Sequence, residues 1–246
     1  MFTIAHLTDT HFGNRPEVAE RNRRVIEAVR RLQPDVVIVT GDVADHGTAE
    51  EYAEAREALG VLLGPVLWCP GNHDVREAFA EAVFGALTTD PLDVVFDVGG
   101  FRFLMLDSLV PARDGRRVDH GELSEATLAW LEDELASSAL PSFVCLHHPP
   151  LPMGIDWIDE IRLRDSAGLQ AIVARHPQVV GTLVGHFHTA SASTFAGRPL
   201  LIGGGVSSVV PLVAEGLPRI WEDAPPSYAV HLVTDDLRLI THWRAL

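Results

Sequence analysis

Cysteine is scarce, basic residues are outnumbered and long apolar runs are missing. The 246 residues include two cysteines, and 19 Lys and Arg against 34 Asp and Glu give a formal net charge of −15. Cys69 and Cys145 each sit in a short apolar, strand-like run, so both read as buried small hydrophobes rather than a disulfide or a thiolate metal site. That usage suits a reducing compartment. The opening Met1–Asp9 has neither the basic start nor the long apolar core of a signal peptide, and no run approaches the ~18 apolar residues of a membrane span. The expected location is cytoplasmic. Sequence-independent affinity for nucleic acid comes from Lys and Arg neutralising phosphates, so duplex nucleic acid is not an expected partner. The one basic cluster, Arg21, Arg23, Arg24, Arg30 and Arg31, alternates with Glu17, Glu20 and Glu27 at helical spacing and reads as a solvated, salt-bridged face. A small anionic substrate stays compatible with this acidity, because bound divalent cations reverse the local field.

No internal repeat, Gly/Ser tract or low-complexity run divides the chain, and 47% hydrophobic content suffices for one large core, so residues 1–246 read as a single domain. Homodimerisation is left open. Strand patterns over Phe2–Leu7, Asp35–Thr40 and Pro65–Cys69 alternate with helical patterns over Glu17–Leu32, Ala49–Leu62 and Val75–Phe84. This β-α-β-α rhythm predicts parallel pairing through crossover helices. Val94–Val98 and Arg102–Asp107 flank a Gly99-Gly100 hairpin turn. Ser124 N-caps a helix to about Leu135, followed by strand Phe143–Leu146, helix Ser166–Arg175 and strand Val179–Val184. Beyond Ala190 the pattern is mostly strand: Ala190–Phe195, Pro199–Ile202, Tyr228–Val233 and Leu237–Trp243, with turns at Gly197-Arg198 and Asp235-Asp236. The predicted fold is α/β (α+β), two mixed sheets packed together with helices outside.

Residues of metal-ligand type recur directly after the strands. Asp9 and His11 follow the first, Asp42 the second, Asn72 and His73 the third, His147 the strand ending at Leu146, and His186 and His188 the strand ending at Val184. Sites in open α/β sheets form beyond the carboxyl ends of strands. Gly41, Gly71 and Gly185 precede Asp42, Asn72 and His186, where each permits a sharp turn out of its strand. Any one of these motifs is weak, but their recurrence after successive strands is not. Imidazole, carboxylate and amide donors without thiolate suit Fe, Mn, Zn or Co. The seven of these other than His73 exceed the need of one four-coordinate zinc. Two ions ~3.5–4 Å apart with a bridging carboxylate explain the excess, and such a pair activates a bridging hydroxide for in-line displacement at phosphorus.

Asp9-Thr10-His11, Gly41-Asp42-Val43-Ala44-Asp45, Gly71-Asn72-His73-Asp74, His147-His148-Pro149 and Gly185-His186-Phe187-His188 resemble, in order, the motifs of the calcineurin-like metallophosphoesterase superfamily. Within it, His147–Pro152, Arg162–Asp165 and Thr194–Pro199 look like bacterial class III cyclic-nucleotide phosphodiesterases and the related glycerophosphodiesterases. The resemblance implies a four-layer αββα sandwich and a dinuclear centre of divalent or trivalent ions, Fe and/or Mn foremost, with Zn or Co as alternatives. One ion would take Asp9, His11, Asp42 and His188, and the other Asp42, Asn72, His147 and His186. It further implies hydrolysis of a small phosphodiester, a 3',5'-cyclic nucleotide such as cAMP first, a glycerophosphodiester or another phosphoester second. A metal-binding scaffold for a protein partner is the non-enzymatic reading, weakened because every ligand position is filled. Asn72, His73 and His188 would face substrate. His73 would be the acid or hydrogen-bond donor at the leaving oxygen, with Asp74 fixing its ring; a carboxylate partner fixes an imidazole tautomer. The family's His-x-Pro form selects His147 over His148 as the ligand, and Asp45 reads as a support rather than a ligand.

Other histidines invite inclusion. His6 alternates with Ile4 on the first strand and reads as packing, as do His231 and His242; His176 ends a helix, His120 has no motif, and His46 is close enough to Asp45 to approach the pocket. Trp157, Trp221 and Tyr228 read as packing aromatics rather than base-stacking platforms. Residues 203–226, rich in Gly and Pro without periodicity, form a long irregular segment expected, with Pro149–Asp159, to wall the site and select the substrate.

Overall fold

The computed structural model describes residues 1–246. Eleven strands form two sheets: β1 (Phe2–Leu7), β2 (Val36–Thr40), β3 (Val66–Cys69), β4 (Val94–Val98), β5 (Phe101–Met105), β6 (Ser142–Cys145), β7 (Val179–Val184), β8 (Ser191–Phe195), β9 (Arg198–Ile202), β10 (Ser227–Val233) and β11 (Leu239–Ala245). The helices are α1 (Pro16–Leu32), α2 (Ala49–Leu59), α3 (Arg76–Phe84), α4 (Glu125–Ala136), α5 (Asp156–Asp159) and α6 (Ala167–Arg175). One sheet has the order β11-β10-β1-β2-β3, the other β4-β5-β6-β7-β9-β8. The pairs β1/β2 and β2/β3 are parallel, as the helical crossovers predicted; β5/β6, β6/β7 and β7/β9 are parallel too, and the remaining pairs are antiparallel.

Alternation along the strands builds three apolar layers. Val36 and Ile38 of β2 meet Phe143 and Cys145 of β6 between the sheets, together with Ile4, Cys69, Phe103 and Leu183. Val37 and Val39 point the other way, into a core shared with Val25 and Val29 of α1 and Ala55 and Leu59 of α2. Val144 and Leu146 likewise join Leu131, Leu135 and Leu169 beneath α4 and α6. Strands apolar on both faces are what a sheet covered on both sides requires. Helix-sheet-sheet-helix is therefore the observed layer order, and both cysteines are free and buried.

Local signals set most boundaries. Thr48 and Glu51 form a capping box on α2, and Ser124 accepts from the Thr127 amide at α4. The Gly99-Gly100 turn has positive φ at both residues, 60° and 85°. Three details differ from expectation. Helix α2 stops at Leu59, where the Gly60 amide closes the last turn on Arg56 O. The β8–β9 turn is Ala196-Gly197, because Phe195 pairs directly with Arg198. The single turn α5 carried no periodicity; it forms because the Asp159 carboxylate accepts from the amides of Met153, Gly154 and Ile155.

The basic face of α1 is only partly as expected. Arg23 pairs with Glu20, and Arg30 and Arg31 pair with Glu27, at the surface. Arg21 instead is buried and donates from Nε to Val206 O at 2.8 Å, and from Nη1 to Glu222 O at 2.9 Å and to Ala224 O. It fastens the irregular segment 203–226 to α1.

Candidate metal centre

The parallel strands of both sheets end on one edge of the sandwich, and the loops leaving them are hydrogen-bonded to one another within and across the sheets. The Gly185 amide donates to His147 O, the His186 amide to Asp9 Oδ2, and the Val206 and Ser207 amides to Thr8 O and Asp9 O. Five of the seven expected ligands leave their strands in the left-handed region: Asp9 (φ 54°), His11 (45°), Asp42 (48°), His186 (71°) and His188 (53°). Such backbone costs of order 1–3 kcal/mol per residue and persists where the surroundings enforce it, typically at functional sites. Gly41 turns at φ +83°, whereas Gly71 serves close approach instead: a Cβ there would lie 2.2 Å from Asp42 Oδ1.

All seven side chains converge. Donor atoms of Asp9, His11, Asp42 and His188 lie within 4.8 Å of one another. His188 Nε2 is 3.3 Å from Asp9 Oδ1, and His11 Nε2 is 3.6 Å from Asp42 Oδ2. The other Asp42 oxygen, Oδ1, is 3.4 Å from His147 Nε2, which in turn is 3.1 Å from Asn72 Oδ1 and 3.2 Å from His186 Nδ1. Asp42 thus divides its two oxygens between two donor groups.

Three of the imidazoles are held by their far nitrogen. His11 Nδ1 donates to Asp45 Oδ1 at 2.9 Å, His147 Nδ1 to Thr40 O at 2.7 Å, and His188 Nδ1 to Ser208 O at 3.2 Å. Each hydrogen bond places the proton on Nδ1 and leaves the Nε2 lone pair facing the cluster, which is how ligating histidines are oriented. His148 lies close to His147 and His186, but its nitrogens are engaged elsewhere, Nδ1 with Ser108 Oγ at 2.8 Å and Nε2 with Asp119 O at 3.2 Å. Burial opposes ionisation of Asp42, yet His147 and His73 hold its pKa well below the usual carboxylate range. Burial also disfavours protonated His147, but Asp42 and Asp9 overcome it and lift the pKa to about 9. Burial pushes His186 and His188 down, favouring neutral ligand forms.

The donor set fits metal. Asp9 Oδ1, His11 Nε2 and His186 Nε2 are buried with no hydrogen-bond partner. A buried unpaired polar atom costs about 1–3 kcal/mol, and here Asp9 Oδ1 and His11 Nε2 belong to one donor group.

One expected role is corrected. Asp74 does not touch the His73 ring: its carboxylate accepts from the amides of Val43, Ala44 and Gly71 and from Tyr52 Oη. Those four donors, from three chain segments, use the carboxylate as a clip beneath the site. The His73 ring is held by the residue taken as a support, since Nδ1 donates to Asp45 O at 2.9 Å and lies 3.7 Å from Asp45 Oδ1. His6 and His231 form a buried pair with Thr40 and Thr241 away from the donor groups. His46 is exposed and bound to Glu51, His120 to Glu122 and His176 to Glu132. Tyr228 is buried, Trp221 pairs with Val209, and Trp157 carries Arg219 stacked 3.9 Å over its ring. Sequence reasoning missed Ser208, which steadies His188, and Arg117, whose Nη1 lies 2.9 Å from His73 Nδ1. Neither belongs to a motif; the turn at Gly115 was the only signal near Arg117.

The family model for calcineurin-like phosphoesterase matches residues 2–190, which include every member of both donor groups. The chain belongs to the calcineurin-like phosphoesterase family. These enzymes use a dinuclear divalent metal centre. Among curated relatives, the chain is 36% identical over 208 residues to the 3',5'-cyclic adenosine monophosphate phosphodiesterase CpdA of Escherichia coli K12, covering 80% of this chain and 74% of that protein. It is 32% identical over 243 residues to the glycerophosphodiester phosphodiesterase GpdQ of Enterobacter lignolyticus, covering 93% and 86%. A dimetal phosphatase from Danio rerio superposes with a TM-score of 0.74 at 17% identity, over 99% of this chain and 96% of that one, which establishes the shared fold.

Proposed function

We propose that the chain is a dinuclear metal-dependent phosphodiesterase acting on a small phosphodiester, foremost a 3',5'-cyclic nucleotide such as cAMP. The observation that carries this reading is Asp42, whose two oxygens face two separate donor groups. Asp9, His11, Asp42 and His188 would hold one ion, and Asp42, Asn72, His147 and His186 the other. Nitrogen and oxygen donors without sulfur suit Fe and Mn, with Zn or Co as substitutes. When bound, such a pair supplies an activated water nucleophile and neutralises charge at phosphorus. The protein supplies the rest. Asn72, His73 and His188 border the cavity above Asp42. Asp45 O holds the Nδ1 proton of His73, so a second proton at Nε2 would be the one donated to the leaving oxygen. Burial works against that second proton and the Asp42 charge works for it.

The same cavity is walled by Trp157, Ile158 and Ile161 on one side and by Ser208, Val210 and Ile220 on the other. All but Ile161 come from the two segments expected to select substrate, and the Arg219–Trp157 stack joins them. We assign residues 203–226 and 149–159 this role within one catalytic domain. No helix is long and apolar enough to cross a membrane; a cytoplasmic setting, which suits the two free thiols, and the exclusion of duplex nucleic acid by charge are parts of the proposal. The homodimer stays open.

The deciding experiment loads the protein with Mn²⁺, Fe²⁺ or Zn²⁺ and assays cAMP, cGMP, glycerophosphodiesters, bis(p-nitrophenyl) phosphate and p-nitrophenyl phosphate. Hydrolysis of cyclic nucleotides at the highest kcat/KM supports the reading. Preference for a glycerophosphodiester would move the substrate while keeping the chemistry, and no diester hydrolysis with any metal would sink it.

A further inference from the structure

Two cavities meet at Asn72 and His73. One, of about 200 Å³, lies above Asp42 between Trp157 and Ile220. The other, of about 440 Å³, opens on the far side of His73 and is walled by Val75, Leu109, Val110, Pro111 and Ala112. Its size is that of an ordinary small-molecule site. Arg117 is the one cationic side chain that lines both.

The chain contains no lysine, so fixed positive charge near the site comes only from arginine, and the other arginines are committed. Arg76, which also borders the larger cavity, is buried against Asp107 at 2.6 Å and donates to Leu109 O. Arg15 is paired with Glu222 at 2.6 Å beside His11 and His188, and Arg219 lies on Trp157. Arg117 is held by one carboxylate, through Nε to Asp119 at 2.5 Å, and remains 47% exposed. Its Nη1 contact with His73 Nδ1 is not a stable hydrogen bond. That nitrogen also faces Asp45 O at 2.9 Å, and one Nδ1 cannot donate to a carbonyl and accept from a guanidinium together. Arg117 is therefore parked, with its Nη donors available to an acceptor placed beside His73.

We propose that Arg117 binds the phosphate of a monoanionic diester against Asn72 and His73, and that the 440 Å³ cavity behind it receives the nucleoside or alcohol bearing the leaving oxygen. This rests on the phosphodiesterase reading and names how that site recognises its substrate. The rim is otherwise acidic, with Asp45, Glu77 and Asp119 facing the cavities. A planar guanidinium, with several donors in a fixed fork, suits two phosphate oxygens at once.

The test compares Arg117→Ala and Arg117→Lys with the unmodified metal-loaded enzyme on cAMP and bis(p-nitrophenyl) phosphate. Dimethyl phosphate binding is measured in parallel by calorimetry. Arg117→Ala should raise KM and weaken dimethyl phosphate binding about tenfold, the effect of one lost charge-assisted hydrogen bond. Metal content should not change, and kcat should stay within about threefold. Arg117→Lys should recover part of the loss, and added salt should narrow the gap between Arg117→Ala and the unmodified enzyme. Unmodified KM and dimethyl phosphate binding in Arg117→Ala would overturn the proposal, as would a rise in KM that lysine does not rescue. If the unmodified enzyme hydrolyses no diester, the function reading fails, and the calorimetry still reports on Arg117 by itself.

Discussion

Replacing Arg21 with Met tests whether the substrate wall is fastened from beneath by a buried cation. Arg21 gives up water to donate to the carbonyls of Val206, Glu222 and Ala224. Methionine keeps the apolar stem and removes all three donors. Glu222 is exposed, so water can replace its lost partner, but Val206 and Ala224 are 0% and 1% accessible. Two buried acceptors are then stranded at about 1–3 kcal/mol each. Part of this is returned because burial disfavours the Arg21 charge and lowers its pKa. The net loss should be about 2–4 kcal/mol, a large share of the roughly 5–15 kcal/mol that holds a domain together. For a chain of this size that is a fall in Tm of about 5–15 °C. Arg23→Met is the matched control: Arg23 is 68% exposed and pairs only with Glu20, so its loss should leave the urea midpoint essentially unchanged. Urea unfolding of both variants, each with full metal, measures the difference. Because the loosened segment contains Ile220, KM should rise in Arg21→Met with metal content intact. If the two arginines cost the same, the buried anchor is wrong and α1 carries a solvated charge face throughout.

Three further outcomes are expected. His73→Ala should keep its metal and lose about 10²–10⁴-fold in kcat, the range for a positioned acid or base; metal analysis beside steady-state kinetics checks it, and full activity would remove His73 from the chemistry. Chelation should lower Tm by about 5–15 °C, since ligands present at 100–1,000 times Kd contribute roughly 2.7–4.1 kcal/mol, and an unchanged Tm would argue against the orphaned donors as a metal site. Burial lifts the pKa of Asp93 to about 6. The native state therefore keeps a proton that the unfolded chain releases from about pH 4 upward, so stability falls as pH rises through roughly 4–6 and levels off above. Asp93→Asn should flatten that slope and gain about 1–3 kcal/mol at pH 7.5 in urea titrations, with no difference below pH 4; a parallel pH profile would refute it.

Period and punctuation carried most of the fold. The alternation of Val36 to Val39 feeds two different cores, which is why that strand is apolar throughout. Capping at Ser124 and the paired glycines at 99 and 100 act within four residues, so local reading found them. What failed was decided at a distance. Arg21 sits among Arg and Glu at salt-bridging intervals and is indistinguishable there from Arg23; only the return of residues 206–224 over that face of α1 makes it a buried donor. The turn α5 depends on the Asp159 carboxylate collecting three amides, which leaves no periodic trace.

The same division runs through the site. The donor residues were legible because each leaves a strand at the same edge, and strand ends are local features. Their supports were not, because each comes from another part of the chain. Thr40 on β2 fixes the tautomer of His147 across the sheet seam, and Ser208, in the segment with no readable pattern, fixes that of His188. Asp74 shows the cost of inferring support from adjacency. Next to His73 in sequence, it is turned beneath the loop to collect three amides and a phenol, while Asp45, 28 residues away, holds the ring. A side chain beside a ligand in sequence shares its backbone turn, and in a left-handed or tightly turned segment consecutive side chains diverge. The residue that orients an imidazole therefore tends to lie across the cavity. For this chain the proposed determinants of specificity, Arg117 on a loop and Trp157 on the single turn α5, lie where no strand-end motif reaches, so substitution there tests substrate choice more directly than substitution of the donors.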